Sequence, residues 1–497
     1  MLKMCPYWST VRLSLWNASV ACAVLIANTG TTRAQVIEVS AVHVKIVANA
    51  NAARLVDLAE RLEHFHTAMV KFRVRPEVPS GRAGQLTVYV ARRQTEVADL
   101  YPDQRAAPHL QGFYLAGPGD ALAVVAPTAL DRRDGFRVAV HEYVHHYMAM
   151  TGDMLVPEWV AEGAAGYYSS ASFIPAHDVL SRPLGASRHG SAIAPPRFGT
   201  TQLLCDPAAG TGVSAARFSP AFYTGSRLLY SYLISDSDRA RKLEGYIADL
   251  RAGLEGCAAA SRNFGDLTIL EAAVQLYSDR GPQPLRATGG AGLTVGPIRI
   301  RKLSRGENAL LSRLISLRCG QMVEALTVLQ RKRYPRDAGY QTGLATIAAG
   351  KGEDAEVIAA ANAALSLDPS RIDALLLKGN ALLRQAAVGT SNAHISARRV
   401  FEQTLALEPD QPQALIAYYR SYKIANEAPP AEVVAGLERA VKLAPFDASL
   451  AVELAQQRLG AGNIVGARAI LMPIARNLGS TGAAPFARYL LDQTNPH

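Results

Sequence analysis

Four prolines in the C-terminal third of this 497-residue chain recur at nearly even spacing. They lie 34, 40 and 36 residues apart, and helical patterns at residues 360–367, 397–407 and 433–443 precede the last three. The four pairs are Tyr334-Pro335, Asp368-Pro369, Glu408-Pro409 and Ala444-Pro445. Proline has no backbone amide proton and clashes with the preceding turn, so each one ends a helix. The spacing therefore predicts a repeating all-α region over residues 306–497.

These repeats resemble tetratricopeptide repeats, in which each unit of about 34 residues is a pair of antiparallel helices. The longest spacing, the one before Pro409, predicts an insertion near residues 388–394. A single unit cannot bury its own apolar face, so about three or more must stack. The resemblance implies a concave surface that binds a protein partner. A generic helical bundle is the alternative.

Glycine and proline between Gly281 and Gly292 predict a linker over residues 281–305. Before it, residues 35–280 mix strand and helix patterns, which indicates an α+β domain. Strands are predicted at residues 36–47, 86–90 and 122–126, and an amphipathic helix at residues 55–72. The sheet would give the helices of this domain a surface to pack against.

Two histidines four residues apart, His141 and His145, lie in a helical stretch with Glu142 beside the first. Positions four apart share one face of a helix, so both imidazoles can bind one zinc ion. A glutamate at that position can act as a general base on the water that zinc activates. The pattern predicts a zinc hydrolase, most often a peptidase. A helix with surface histidines is the alternative.

A second helical segment supplies a third ligand. Pro157 suits the first turn of a helix, and Trp159, Glu162 and Ala165 follow at helical spacing. Catalytic zinc sites commonly use three protein ligands, and two histidines with one glutamate are an established set. We therefore predict Glu162 as the third ligand, with Glu158 on the same helical face in reserve.

The two segments together resemble the gluzincin zinc metallopeptidases, the thermolysin-like and aminopeptidase-like group, in which His-Glu-x-x-His is followed by Trp-x-x-Glu-Gly-x-Ala. The resemblance implies a zincin-like fold and a site for Zn²⁺. It assigns the metal to His141, His145 and Glu162. It makes Glu142 the general base for hydrolysis of a peptide bond.

Two further segments fit the same resemblance. Residues 222–226 resemble the downstream helix whose tyrosine steadies the oxyanion, which gives Tyr223 a catalytic role; an ordinary core tyrosine is the alternative. Residues 111–114 resemble the segment at the substrate-facing edge of the sheet. Next to the motif, His146 points away from His145, so we expect it behind the ligands or at the surface. The histidines that lack a ligand-like context are His64, His66, His177 and His189.

The N-terminus predicts export. Lys3 and Arg12 precede an apolar run at residues 13–27 that ends in the small residues around Arg33. This pattern is typical of a signal peptide over residues 1–34, and the run is short for a membrane span. The mature protein would be periplasmic or secreted, with no stable membrane span. An uncleaved membrane anchor is the alternative.

Removal of the signal peptide would leave three cysteines, Cys205, Cys257 and Cys319. An odd number cannot all pair within the chain. In an oxidising compartment Cys205 and Cys257 are the expected bridge, because both precede the linker and Cys319 follows it. Three unpaired thiols are an equally weighted alternative.

The formal net charge of +10 is modest for a chain of this length. No lysine-rich tract or aromatic-interleaved basic patch occurs, so a nucleic-acid partner is not suggested. The expected function is an exported zinc-dependent peptidase that acts on a peptide or protein substrate, with helical repeats that bind a partner. A repeat-based interaction protein with an inactive peptidase-like domain is the alternative. Hydrolysis of a non-peptide amide would use the same site.

Overall fold

A mixed six-stranded sheet lies at the centre of the N-terminal part of the chain. The computed structural model describes residues 35–73, 81–102, 110–131, 136–152, 156–174, 178–181, 199–206, 219–280, 295–324, 326–475 and 482–494. The strands of the sheet and of a small separate hairpin are β1 (Ile37–Ser40), β2 (Val44–Ala48), β3 (Leu86–Val90), β4 (Gly112–Leu115), β5 (Leu122–Val125), β6 (Ala171–Ile174), β7 (Asp178–Ser181) and β8 (Arg299–Lys302).

Helices surround this sheet. Up to residue 280 they are α1 (Ala52–Arg73), α2 (Gln94–Leu100), α3 (Phe136–Met150), α4 (Glu158–Tyr168), α5 (Thr200–Cys205), α6 (Pro220–Ile234), α7 (Ser237–Arg251), α8 (Gly256–Phe264) and α9 (Leu267–Arg280). The predicted helix at residues 55–72 is α1, and the predicted strands at 86–90 and 122–126 are β3 and β5. The α+β character of this part is therefore confirmed.

The strand order across the sheet is β4-β5-β3-β2-β1-β8. Strands β2, β3 and β5 run parallel, and β1, β4 and β8 are each antiparallel to their neighbours. Successive side chains alternate between the two faces. On one face, Val88 and the side chains that point the same way pack with α1 and α3. On the other face, Tyr89 and the side chains that point with it pack with α2 and a later helix. Edge strand β4 lies beside α3, the helix that carries the two histidines.

The predicted strand at residues 36–47 is in fact two strands joined by a tight turn. Strands β1 and β2 pair antiparallel, with Ile37 opposite Ala48. The carboxylate of Glu63 on α1 holds this turn, because its Oε1 accepts hydrogen bonds from the backbone amides of His43 (2.7 Å) and Val44 (3.2 Å). No glycine or proline marks the turn, so local sequence gave no sign of it.

Residues 299–302, within the range predicted to be a linker, form the sixth strand of the sheet. This strand, β8, pairs with β1, and all four of its side chains are exposed. Three of its four residues are charged, unlike the apolar-rich strands that the sequence predicts. The other part of that range, residues 281–294, lies outside the described residues.

A long helical region follows β8, as predicted from the proline spacing. Its helices are α10 (Arg305–Arg318), α11 (Val328–Arg331), α12 (Ala338–Gly350), α13 (Asp354–Leu367), α14 (Ile372–Ala387), α15 (Ala393–Leu407), α16 (Pro412–Ile424), α17 (Ala431–Leu443), α18 (Ala448–Gly460), α19 (Ile464–Ala475) and α20 (Ala483–Asp492). Helices α13, α15 and α17 each end at the residue immediately before an X-Pro pair, which is the expected role of those prolines.

The helical region folds back onto the sheet. Helix α10 packs on the sheet face that carries Tyr89. Arg82, just before β3, forms ion pairs with Asp373 on α14 (2.6 Å) and Glu408 after α15 (3.5 Å). A cavity of about 360 Å³ lies between Lys45 and Thr87 of the sheet and side chains of α12, α14 and α16. Contacts group the residues from Gln35 onward into one compact unit.

A disulfide joins Cys205 at the end of α5 to Cys257 in α8. This is the expected pair, and the alternative of three unpaired thiols is wrong. Cys319 is a free, buried thiol that packs with α10 under the sheet. The bridge fixes α5, a helix of six residues, to α8, one of the helices that follow α3 and α4 in the chain.

Among the described residues, every helix is too short or too polar to cross a membrane. The predicted signal peptide at residues 1–34 lies outside the described residues, so its cleavage and the site of export stay predictions.

Candidate metal centre

Helices α3 and α4 bring His141, His145 and Glu162 to one point. The Nε2 atom of His141 lies 3.2 Å from the Nε2 of His145 and 3.2 Å from Oε2 of Glu162. The Nε2 of His145 lies 3.5 Å from Oε1 of the same carboxylate. In the described part of the chain, this is the group of three side chains close enough together to hold a metal ion.

These separations match a tetrahedral zinc site. Zinc with ligands at about 2.1 Å in tetrahedral geometry holds any two ligand atoms about 3.4 Å apart. The three separations fall within a few tenths of an ångström of that value. Two imidazoles and one carboxylate are also a donor set that zinc takes, with one position left for water or substrate. The residues present therefore fit a zinc ion.

The charges of the group favour a cation. Burial alone would raise the pKa of Glu162, but the adjacent His145 and hydrogen bonds from both histidines hold it well below its usual range. Burial would likewise lower the pKa of His145, but Glu162 outweighs burial and raises it to about 9. The carboxylate thus stays ionised and attracts positive charge to the point where the nitrogens converge.

Glu142 lies beside the metal-ligand group, which consists of His141, His145 and Glu162. It is nearly buried, with 5% of its surface exposed. Burial raises the pKa of its carboxyl, while the positive potential of His141 and His145 opposes the rise. Its carboxylate faces the edge strand β4 at Gly112. A Cβ at Gly112 would lie 3.0 Å from Oε1 of Glu142 and 2.8 Å from Cγ1 of Val138. Glycine at this position therefore leaves room for the carboxylate against the sheet edge.

A cleft of about 440 Å³ opens over these residues. His141, Glu142 and Tyr223 line it together with Gln111 and Gly112 of the β4 segment. The structure thus brings Tyr223 to the same cleft as the metal-ligand group. Helix α6 places it there: Ser219 caps this helix by accepting a hydrogen bond from the amide of Phe222 (3.2 Å).

Close packing of α4 on α6 fixes the position of Glu162. Trp159 is buried, with its ring centroid 6.3 Å from that of Tyr246, and anchors one side of α4 in the core. Gly163 faces α6 so closely that a Cβ there would lie 2.6 Å from the carbonyl oxygen of Ser226. The tryptophan and glycine of the second motif are therefore packing residues that flank the metal ligand.

We expect Gly163→Ala to destabilise the protein by about 1–3 kcal/mol, since the added methyl group must push α4 away from the backbone of α6. The same displacement moves Glu162, so zinc affinity should fall as well. Urea unfolding and zinc titration measure the two effects. The matched control is Gly166→Ala, whose Cβ would meet the flexible side chain of Arg227 at 3.2 Å. Equal losses in both variants would contradict this account.

Glu158, the reserve ligand, and His146, the neighbour of His145, do not belong to the metal-ligand group. Glu158 is not among the three side chains that converge. His146 is fully buried and bonds in the opposite direction: its Nε2 donates to the carbonyl oxygen of Gly84 (2.8 Å), and its Nδ1 accepts from the hydroxyl of Tyr114 (3.3 Å). Of the two locations expected for His146, behind the ligands or at the surface, the surface is therefore wrong, and the buried residue ties α3 to the sheet.

His66, which sequence analysis set aside, belongs to a buried polar chain behind α3. Its Nδ1 is hydrogen bonded to the hydroxyl of Tyr143, the residue between the two histidine ligands (2.8 Å). Its ring stacks on that of His43 at a centroid distance of 3.6 Å, and Nδ1 of His43 donates to Glu63 (2.8 Å). The sequence did contain a signal for this burial, because His66 follows Leu62 by four residues and so lies on the predicted apolar face of α1.

The His66 network predicts acid destabilisation. Burial, with the nearby His43, lowers the pKa of His66 from 6.5 to about 3. The unfolded chain therefore binds a proton below pH 6.5 that the folded protein excludes, and stability falls as the pH falls toward 3. One such group contributes about 1.4 kcal/mol per pH unit, or about 3 kcal/mol between pH 6.5 and pH 4.5.

Urea unfolding of the native protein and of His66→Gln at pH 7 and pH 4.5, both with chelator present, tests this prediction. The native protein should lose about 3 kcal/mol more than the variant over this interval. His64→Gln, on the same helix but outside the network, should behave like the native protein. An identical pH dependence in all three proteins would contradict a buried neutral His66.

Sequence analysis also missed Arg137, which lines the cleft beside Val138 and His141. The signal was its spacing, because a residue four positions before His141 lies on the same helical face. His177 and His189, also set aside, lie outside the described residues. No protein-family model matches this chain, and no curated protein matches it either.

Proposed function

We propose that this chain is a zinc-dependent peptidase. The observation that carries the proposal is the convergence of His141, His145 and Glu162 at the spacing of tetrahedral zinc ligands, with Glu142 in the same cleft. A mixed sheet with a helix behind an edge strand, and the two motifs on adjacent helices, support a gluzincin-like arrangement for residues 35–280. Consecutive helices, of which every second one from α13 to α17 ends just before an X-Pro pair, support tetratricopeptide-like repeats over residues 306–497.

The side chains have distinct roles in this proposal. Zinc held by the three ligands would act as a Lewis acid, activating water and stabilising negative charge on a carbonyl oxygen. Glu142 accepts the proton of the attacking water and later passes it to the amine that leaves, so that the peptide bond breaks without a free hydroxide or amide anion. The hydroxyl of Tyr223 donates a hydrogen bond to the carbonyl oxygen as its charge develops.

The proposed location is outside the cytoplasm, as periplasmic or secreted protein. The sequence pattern of residues 1–34 supports export. The Cys205–Cys257 disulfide supports the same conclusion, because such bonds persist in oxidising compartments.

The test uses the purified full chain, zinc-loaded, with a mixed peptide library. We expect one zinc per chain and cleavage of library peptides, detected by mass spectrometry. A chelator should abolish cleavage and added zinc should restore it. Zinc binding without hydrolysis of any peptide would refute the peptidase proposal and favour the interaction protein with an inactive domain. If the protein cleaves non-peptide amides but no peptide, its substrate is a non-peptide amide and the peptidase proposal is wrong.

A further inference from the structure

An arginine, Arg137, lines the proposed substrate cleft one helical turn before His141. Arg137 and His141 are four residues apart on α3 and both line the cleft. Side chains at this spacing are neighbours on a helix surface, with Cβ atoms about 5–6 Å apart. Along the helix axis Arg137 is therefore about 6 Å from His141, close to the length of one or two extended substrate residues.

A second arginine, Arg227, reinforces this charge. It follows Tyr223 by one turn on α6, and its stem packs against Gly166 of α4. Burial lowers the pKa of Arg227, and the like charge of Arg137 lowers it further. The two cations are thus close enough to repel each other, an arrangement that costs free energy unless an anion joins them.

Neither arginine has an anionic partner in the described part of the chain. The hydrogen bonds and ion pairs found there include other arginines, such as Arg82 with Asp373, but none joins Arg137 or Arg227 to a carboxylate. The Nε of Arg227 is buried without a hydrogen-bond acceptor. Buried donors are nearly always satisfied in folded proteins, so this Nε, one helical turn after the cleft-lining Tyr223, is consistent with a ligand that reaches both arginines.

We propose that Arg137, supported by Arg227, is an anion subsite that recognises a carboxylate of the substrate. This inference rests on the proposed peptidase function and names its substrate class: peptides with a carboxylate within about two residues of the scissile bond. An extended residue spans about 3.3–3.6 Å, so one or two residues cover the distance from the metal-ligand group to Arg137. Arginine suits the task because its planar fork binds a carboxylate through two hydrogen bonds.

The carboxylate has two sources, an acidic side chain or the C-terminus of the peptide. Short N-acetylated peptides that the zinc-loaded full chain cleaves should be resynthesised in matched pairs: Glu or Gln near the scissile bond, and carboxylate or carboxamide at the C-terminus. We expect kcat/KM to be about 10- to 100-fold higher for the carboxylate member of one pair. The pair that shows the difference identifies the source.

Variants connect this preference to Arg137. Arg137→Gln should remove the difference within the pair while leaving zinc content unchanged, and Arg137→Glu should reverse it in favour of Lys-containing peptides. Arg227→Gln should reduce the difference. Arg262→Gln, which removes an exposed charge on α8, is the control and should keep it. A charge preference that follows the side chain at one position is an effect that general destabilisation would not produce.

Binding separates the failure of this inference from the failure of the proposed function. Zinc-loaded Glu142→Gln is titrated with the same peptide pairs in a calorimeter. Equal cleavage of both members by the native protein would overturn the carboxylate subsite and leave the peptidase intact. If no peptide is cleaved, the peptidase proposal fails, and calorimetry with short N-acetylated peptides in the same Glu/Gln and carboxylate/carboxamide pairs decides the subsite alone. Carboxylate-dependent binding that Arg137→Gln abolishes would support the subsite, and equal or absent binding would overturn it.

Discussion

Glu142→Gln should lower kcat/KM for peptide hydrolysis by about 100- to 10,000-fold while the protein keeps its zinc. The amide has the size of the carboxylate and fits the space against Gly112, but it cannot accept the proton of the attacking water. Glu142 is not among the three converging ligands, so the metal should stay bound. Steady-state kinetics on a cleaved peptide, with zinc measured by atomic absorption on the same sample, give both quantities.

The control for this variant is Glu96→Gln, a glutamate on α2 that accepts a hydrogen bond from Tyr89 on the other face of the sheet from α3 and does not line the cleft. It should retain activity. Glu142→Gln with more than about a tenth of native activity would remove Glu142 as the general base. Loss of zinc together with activity would instead make Glu142 part of the metal site.

Glu162→Ala should weaken zinc binding by more than about 100-fold. Loss of a group that only supports a ligand typically costs 10- to 100-fold in metal affinity, and Glu162 is itself a ligand in the proposed site. The substitution also removes the carboxylate that holds the pKa of His145 raised. Competition with a chromogenic chelator at pH 7.5 measures the affinity, and circular dichroism checks that the helices remain.

The matched control is Glu158→Ala, one turn earlier on the same helix. It should bind zinc like the native protein, because Glu158 is not among the three converging side chains. A larger loss for Glu158→Ala than for Glu162→Ala would show that the ligand assignment is wrong. Equal losses would mean that both carboxylates share the metal.

The helical spacing in the sequence predicted that His141 and His145 share a face, and that Glu162 can reach them from the next helix. The structure confirms this convergence, because the prediction depended on regular helix geometry and a short connection. The predicted ends of α13, α15 and α17 hold for a similar reason: proline acts on the backbone next to it. Local rules succeeded wherever the deciding interaction lies within a few residues.

Long-range interactions decided the elements that the sequence did not predict. The turn between β1 and β2 depends on Glu63, a residue of α1, and not on turn-forming residues. His66 matters because α1 packs on α3 and brings it to Tyr143. The role of Gly112 depends on the approach of Glu142 to a neighbouring strand. None of these partners is local in sequence, so pattern and propensity could not identify them.

Strand β8 determines when the six-stranded sheet can finish forming during synthesis. Gln35, next to β1, donates a hydrogen bond to the carbonyl oxygen of Leu303, 268 positions away in the chain. Closing so long a loop costs chain entropy that the pairing recovers only after it forms. During synthesis β1 is an open edge until the ribosome has passed Lys302, although both metal-ligand motifs emerged long before. The sheet that supports the site is therefore finished by the part of the chain that begins the helical region.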